Sequence, residues 1–375
     1  MSPHKTFSPL PSTFNHNLIH DSSTPHLTSS SEAADSIDSQ SQFSESNEST
    51  SISSVDDVQN LRPLKPGVYV PTVTFFRADD EDLDLDIIAS HAVRLAKAGV
   101  AGITTQGSNG EAVHLSRAER KLVTKTTRTA LNDAGYNTLP IIVGCGSQST
   151  RETIELCREA LSSGGDYALV LPPSYYKALF DSGSLVEYFQ DVADASPVPI
   201  LIYNYPVAVG GIDFDSDVIT MLSKHPNIVG CKLTCGNTGK LARIAAATDA
   251  ASPSSRGSGF MCMGGSADFM LQTLVVGGSG IICGVGNVVP KACVEVVKLY
   301  AAGKLAEARK LQAVVARGDW AAISGGIVGT KSALETYYGY GGHARKPLPR
   351  ASKQDVVKYA NDFKEVIELE KAMER

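Results

Sequence analysis

Lys232 lies inside Ile228-Val-Gly-Cys-Lys-Leu-Thr-Cys235, an otherwise apolar run that reads as a buried strand. Apolar surroundings disfavour an ammonium relative to the neutral amine, and a neutral amine attacks carbonyl carbon. A lysine at a strand end can also carry its charge to water along its methylene stem, so the segment alone leaves both readings open. Tyr203, in Ile200-Leu-Ile-Tyr-Asn-Tyr-Pro206, offers a hydroxyl that can move a proton, although strand tyrosines are commonly core packing. Gly107-Ser-Asn-Gly-Glu111 reads as a tight turn whose N–H groups can cradle a carboxylate, or as an ordinary Asn-Gly turn.

Such residues need a frame, and one is written in the hydrophobic pattern. From Gly67 onward, short Val/Ile-rich runs alternate with helix-period stretches, the mark of βα units around a parallel sheet. Eight strands are expected: Val68–Phe75, Gly102–Gln106, Ile141–Gly144, Tyr167–Leu171, Ile200–Asn204, Val229–Leu233, Phe260–Met263 and Gly280–Cys283. Helices are expected near Asp84–Ala98, Ser116–Leu131, Thr150–Ser162, Ser184–Asp194, Asp215–Lys224, Thr238–Thr248, Ala267–Val276 and Pro290–Ala301. Eight of each in roughly 240 residues fit a closed (β/α)8 (TIM) barrel over 61–302 better than an open sheet. Residues 303–375 form a C-terminal helical extension, with stretches Lys304–Arg317, Trp320–Tyr337 and Ser352–Met373. Barrel enzymes place chemistry at the C-terminal ends of strands, where Lys232, Tyr203 and the Gly107–Glu111 turn all fall.

Residues 1–60 differ in kind. They hold 17 serines, eight acids, one lysine and no arginine, a composition that predicts a disordered tail and accounts for the net charge of −6. An acidic, arginine-free leader does not match a mitochondrial transit peptide, and no secretory apolar core is present, so a cytoplasmic protein is expected. The seven cysteines lack a Cys-x-x-Cys pair and sit mostly in apolar runs, as reduced core residues do. Histidine spacing gives no metal-ligand pattern, no apolar run reaches about 18 residues, and no basic cluster is interleaved with aromatics. No metal, membrane or nucleic-acid partner is therefore expected.

With these residues in order, the chain over about 65–350 resembles the dihydrodipicolinate synthase / N-acetylneuraminate lyase superfamily of class I, pyruvate-dependent aldolases. The carrying residues are Gly107-Ser-Asn-Gly-Glu111, Tyr175-Tyr176, Tyr203-Asn-Tyr-Pro206 and Lys232 within Val-Gly-Cys-Lys. The resemblance implies that Lys232 forms a Schiff base with the C2 carbonyl of a small-molecule 2-oxo acid, without a cofactor. Tyr203 matches the proton-transfer tyrosine, and Ser108 and Asn109 match the pair that holds the pyruvate carboxylate. Thr234 matches a substrate-hydroxyl contact. Gly264-Gly-Ser266 matches the wall along the hydroxylated part of the substrate, and Ile282 matches a residue whose carbonyl faces the lysine. Tyr176, rather than Tyr175, is assigned to a neighbouring subunit's site, in a homotetramer or homodimer.

Two departures from the synthase pattern bear on the substrate. Asn109 stands where the synthases place a relay threonine, and Ala208 where those accepting aspartate semialdehyde carry an arginine. Gly-Ser-Asn-Gly-Glu instead looks like the turn of fungal 2-keto-3-deoxy sugar acid aldolases and 4-hydroxy-2-oxoglutarate aldolases. The expected reaction is reversible cleavage of a 2-keto-3-deoxy sugar acid, such as L-threo-3-deoxy-hexulosonate, to pyruvate and a hydroxyaldehyde. 4-Hydroxy-2-oxoglutarate aldolase ranks second, dihydrodipicolinate synthase third, and a non-catalytic regulatory barrel stands as the alternative from another class. Lys331, a rival nucleophile by type, falls in the extension and reads as a helix-surface or structural lysine.

Overall fold

The computed structural model describes residues 62–373; the serine-rich segment 1–60 lies outside them. Eight parallel strands close on themselves in sequence order: β1 (Gly67–Pro71), β2 (Gly102–Thr105), β3 (Ile141–Gly144), β4 (Tyr167–Val170), β5 (Ile200–Asn204), β6 (Ile228–Leu233), β7 (Met261–Gly264) and β8 (Gly280–Ile282). Closure is made by β1 and β8, with Gly67 opposite Gly280 and Tyr69 opposite Ile282. The expected (β/α)8 architecture is the one observed.

The period of two divides each strand between two packed layers. Tyr69, Ile142, Tyr167, Leu169, Leu201, Tyr203, Met261, Met263 and Ile282 pack together as the filling of the barrel. The alternate residues, among them Ile200, Ile202, Cys231 and Cys262, join the helices in a second, larger core. On β6 this alternation puts Lys232 on the interior side, two residues beyond Gly230, and at the C-terminal end of the strand.

Helices α1 (Leu85–Lys97), α2 (Arg117–Asp133), α3 (Thr150–Ser162), α4 (Ser182–Ala195), α5 (Ser216–Leu222), α6 (Thr238–Thr248), α7 (Met270–Val275) and α8 (Pro290–Ala301) surround the strands. Their starts follow local chemistry: Asp84, Ser149, Asp215 and Asn237 each accept a backbone N–H of the first turn, and Ser116 with Glu119 closes a capping box. β1 is shorter than the expected Val68–Phe75. Beyond Pro71 the backbone leaves the sheet for other partners, Val73 N–H donating to Asn287 Oδ1 and Phe75 C=O accepting from Asp84.

The extension departs further from expectation. Instead of two helices broken near residue 318, α9 runs Leu305–Tyr338, and its break is at Gly326, with φ 56° and ψ −150°, backbone that favours glycine. Gly318 does not break the helix; it lets α10 (Lys353–Ala372) approach, since a Cβ there would lie 2.6 Å from Val366 Cγ1. Six of the seven cysteines are buried and all are free. Among the described residues no helix is long and apolar enough to cross a membrane.

Candidate active site

Strand pairing sets Tyr203 directly beside Lys232 across β5 and β6. The Lys232 amine lies 4.3 Å from the centroid of the Tyr203 ring, and the side chain is 4% exposed. Among the described residues it has no hydrogen bond or ion pair. Tyr205 stacks on Tyr203 at 5.7 Å with planes 18° apart, and burial together with the neighbouring phenol raises its pKa above the ordinary tyrosine value.

These groups open into a cavity of about 450 Å³ at the C-terminal mouth of the barrel. Ser108 and Asn109 line it from the β2 side, Thr234 from the end of β6, Gly265 and Ser266 from the end of β7, and Asp319 from α9 above. Larger hollows of about 830 and 770 Å³ lie against the outer helices, one beside α1, α2 and α8, the other between α7 and α9. Neither contains an amine beside a strand-borne tyrosine, and the mouth is where barrel chemistry collects.

Local geometry explains each position. In the Gly107–Glu111 turn, the N–H groups of Gly110 and Glu111 donate back to Gly107 and Ser108 at 3.0 and 3.2 Å. Gln106 and Glu111, which bracket the turn, take φ of 54° and 53°, so Ser108 and Asn109 stand out at its tip. Gly265 fits only as glycine: a Cβ would sit 2.0 Å from Thr234 Oγ1. Thr234 Oγ1 is buried and has no hydrogen-bond partner among the described residues.

Comparison with known proteins shows which family the chain is similar to. The model of the Dihydrodipicolinate synthetase family matches residues 65–366. The chain belongs to this family. An Emericella nidulans protein named Probable 4-hydroxy-2-oxoglutarate aldolase, mitochondrial, is 56% identical over 309 residues, covering 82% of this chain and 97% of the relative. A Hypocrea jecorina protein named L-threo-3-deoxy-hexylosonate aldolase is 54% identical over 307 residues, covering 82% and 98%. Among solved structures, YagE, a prophage member of the dihydrodipicolinic acid synthase family from E. coli K12 in complex with pyruvate, superposes with a TM-score of 0.72. It is 26% identical and covers 80% of this chain and 98% of its own.

Against the residues expected of this dihydrodipicolinate synthetase family member, the fold gathers Lys232, Tyr203, Ser108, Asn109 and Thr234 in one cavity. Of the Gly264-Gly-Ser266 run, Gly265 and Ser266 line the cavity, whereas a Cβ on Gly264 would meet Ile281 and Thr273, towards the helices. The Ile282 side chain is fully buried in the inner layer, and Gly284, two residues on, lines the cavity. Tyr176 is 61% exposed and stands outside the cavity against Tyr175, with ring centroids 5.0 Å apart.

Tyr205 and Asp319 were not anticipated. Asp319 Oδ2 accepts Ser266 Oγ–H at 2.5 Å and Asp268 N–H at 3.0 Å. Burial pushes its pKa up to about 6, against the hydrogen bonds that favour the carboxylate. An acid inside Gly318-Asp-Trp-Ala-Ala322 is the same kind of misfit that marked Lys232, so a signal was present. Lys331 proves buried, not superficial: its amine donates to Glu111 Oε1 at 2.7 Å and to His343 C=O at 2.9 Å. Burial lowers its pKa, and the Glu111 carboxylate opposes that shift.

Proposed function

We propose that the protein is a Schiff-base-forming aldolase, a carbon–carbon lyase that reversibly cleaves a 2-keto-3-deoxy sugar acid to pyruvate and a hydroxyaldehyde. One observation carries this reading: a buried lysine without an ionic partner among the described residues faces a cavity, beside a tyrosine and across the barrel from the Ser108–Asn109 turn. The family membership, the Hypocrea jecorina relative's name and the pyruvate in the YagE complex support it.

Lys232 attacks C2 of the 2-oxo acid while Ser108, Asn109 and the turn hold the carboxylate; loss of water gives a protonated iminium. Tyr203 removes the C4 hydroxyl proton, the C3–C4 bond breaks, and its electron pair passes into the iminium as an enamine. The aldehyde departs, C3 is protonated, and hydrolysis returns pyruvate and the free amine. Borohydride with pyruvate is the test: the peptide containing Lys232 gains one reduced pyruvate adduct, and an unmodified peptide at saturating pyruvate rejects the mechanism.

4-Hydroxy-2-oxoglutarate cleavage to pyruvate and glyoxylate is the second reading, favoured by the name of the 56% identical relative. Aldehyde release from both substrates ranks them. The reading assigns catalysis to 61–302 with its extension 303–375 and not to 1–60, so deletion of 1–60 leaves activity in place. It includes a homodimer or homotetramer in which Tyr176 enters a partner's cavity, supported by the exposure of Tyr175, Tyr176 and Leu179; sedimentation checks this. A cytoplasmic location rests on the acidic, arginine-free composition of 1–60. The Emericella nidulans relative is named mitochondrial, and a fluorescent fusion of the full chain distinguishes the two compartments.

A further inference from the structure

We infer that Asp319, contributed by the C-terminal extension, determines specificity by excluding a second carboxylate from the aldehyde half of the cavity and admitting hydroxyl groups. The inference rests on the Schiff-base reading above and says which partner of pyruvate the site takes.

Barrel order fixes the direction of the substrate. β2 and β6 lie opposite each other in the closed eight-strand ring, so a carboxylate at Ser108 and Asn109 faces Lys232 across the mouth. Atoms beyond C4 then run along the rest of the lining, whose polar side chains are those of Tyr205, Thr234, Ser266 and Asp319.

The hydrogen-bonding sense of that wall is defined. Ser266 has one O–H, and it is donated to Asp319 Oδ2, so towards the cavity Ser266 presents lone pairs. Asp319 is an acceptor, 2% exposed, and has no cationic partner among the described residues. Thr234 Oγ1 is buried against Gly265 without a hydrogen-bond partner among the described residues. Two acceptors suit a substrate that brings O–H donors. A distal carboxylate brings none, and Lys232, the one cationic side chain among the described residues lining the cavity, is consumed by imine formation. At this depth like charges repel with little screening.

Asp319 also receives Asp268 N–H, and a helix-terminal anchor alone would account for its burial. The test must therefore read charge discrimination and not stability. Full-length protein is treated with borohydride and pyruvate, 2-oxopentanoate or 2-oxoglutarate; the last two share a five-carbon chain and differ in the distal carboxylate. Wild type is expected to trap 2-oxopentanoate on the order of tenfold or more faster than 2-oxoglutarate. D319N removes the charge and keeps an acceptor, and it should narrow that gap severalfold. D319S, which retains a group able to accept Asp268 N–H, serves if D319N does not fold. Equal trapping of the two acids by wild type, trapping of neither, or a gap that survives both variants overturns the inference. Absence of a pyruvate adduct on wild-type Lys232 rejects the Schiff-base reading instead.

Discussion

Of the three buried lysines among the described residues, Lys232 at 4% exposed and Lys331 at 0% are held in opposite ways. Lys331 is paired: Glu111, the His343 carbonyl and the face of Phe76, 4.5 Å away, surround its amine. Lys232 has a tyrosine ring and open space. Burial alone thus does not make a nucleophile. A buried amine bonded to a carboxylate and a carbonyl has its lone pair and protons committed, whereas one that faces a cavity is open to a carbonyl substrate.

The pairing of Lys331 also serves the reacting side. Glu111 closes the turn that presents Ser108 and Asn109, and its carboxylate also accepts Arg345 N–H at 2.9 Å and contacts His114 at 3.1 Å. The extension therefore clamps the carboxylate-binding turn from behind through Lys331 and overhangs the cavity through Asp319.

Breaking the contrast at its reactive end has the largest effect. Lys232→Met abolishes turnover and borohydride trapping while leaving the fold; retained trapping would move the nucleophile to another lysine. Tyr203→Phe comes next, with turnover reduced by about 10²–10⁴-fold and pyruvate trapping partly retained; near-normal turnover removes it from proton transfer.

At the structural end, Lys331→Met leaves the Glu111 carboxylate buried without its cation and costs about 3–5 kcal/mol of stability by denaturant unfolding, with the pyruvate adduct still on Lys232. Adding Glu111→Leu relieves that stranded charge, and the double variant should be more stable than Lys331→Met alone. A double variant no better than the single would mean that the pair contributes no coupled energy.

The smallest effect concerns pH. Asp319 has a folded pKa of about 6 against 3.8 unfolded, so the folded chain binds this proton more tightly. Its contribution to stability is therefore greatest below about pH 4 and is lost as pH rises through about 6, by an amount on the order of 2–3 kcal/mol. Wild type should gain on Asp319→Asn between pH 7 and pH 4 by that amount, measured as the difference in unfolding free energy. A constant difference would show that the carboxyl is not perturbed.

Legibility in the sequence followed the range of the interactions. The eight strands fell within a few residues of their observed positions because period two and the caps act within one element. The misplaced break at residue 318 has a tertiary cause. Gly318 and Gly326 look alike in sequence; Val366 packs on the first, and the second takes the positive φ. Which residues of the Gly264-Gly-Ser266 run line the cavity is likewise a matter of which face of a strand end the loop presents.

What the sequence by itself determined is the alternation of strands and helices, the lysine misplaced in an apolar strand, and the tyrosine at the same level one strand before it. Tertiary structure alone decided that Glu111 and Lys331, 220 residues apart, neutralise each other, and that Asp319 closes the cavity containing Lys232. The physical reason is that hydrophobic period and capping are properties of neighbouring residues. Whether a buried charge is paired or left facing a cavity depends instead on which distant segment barrel closure and the kinked helix bring against it.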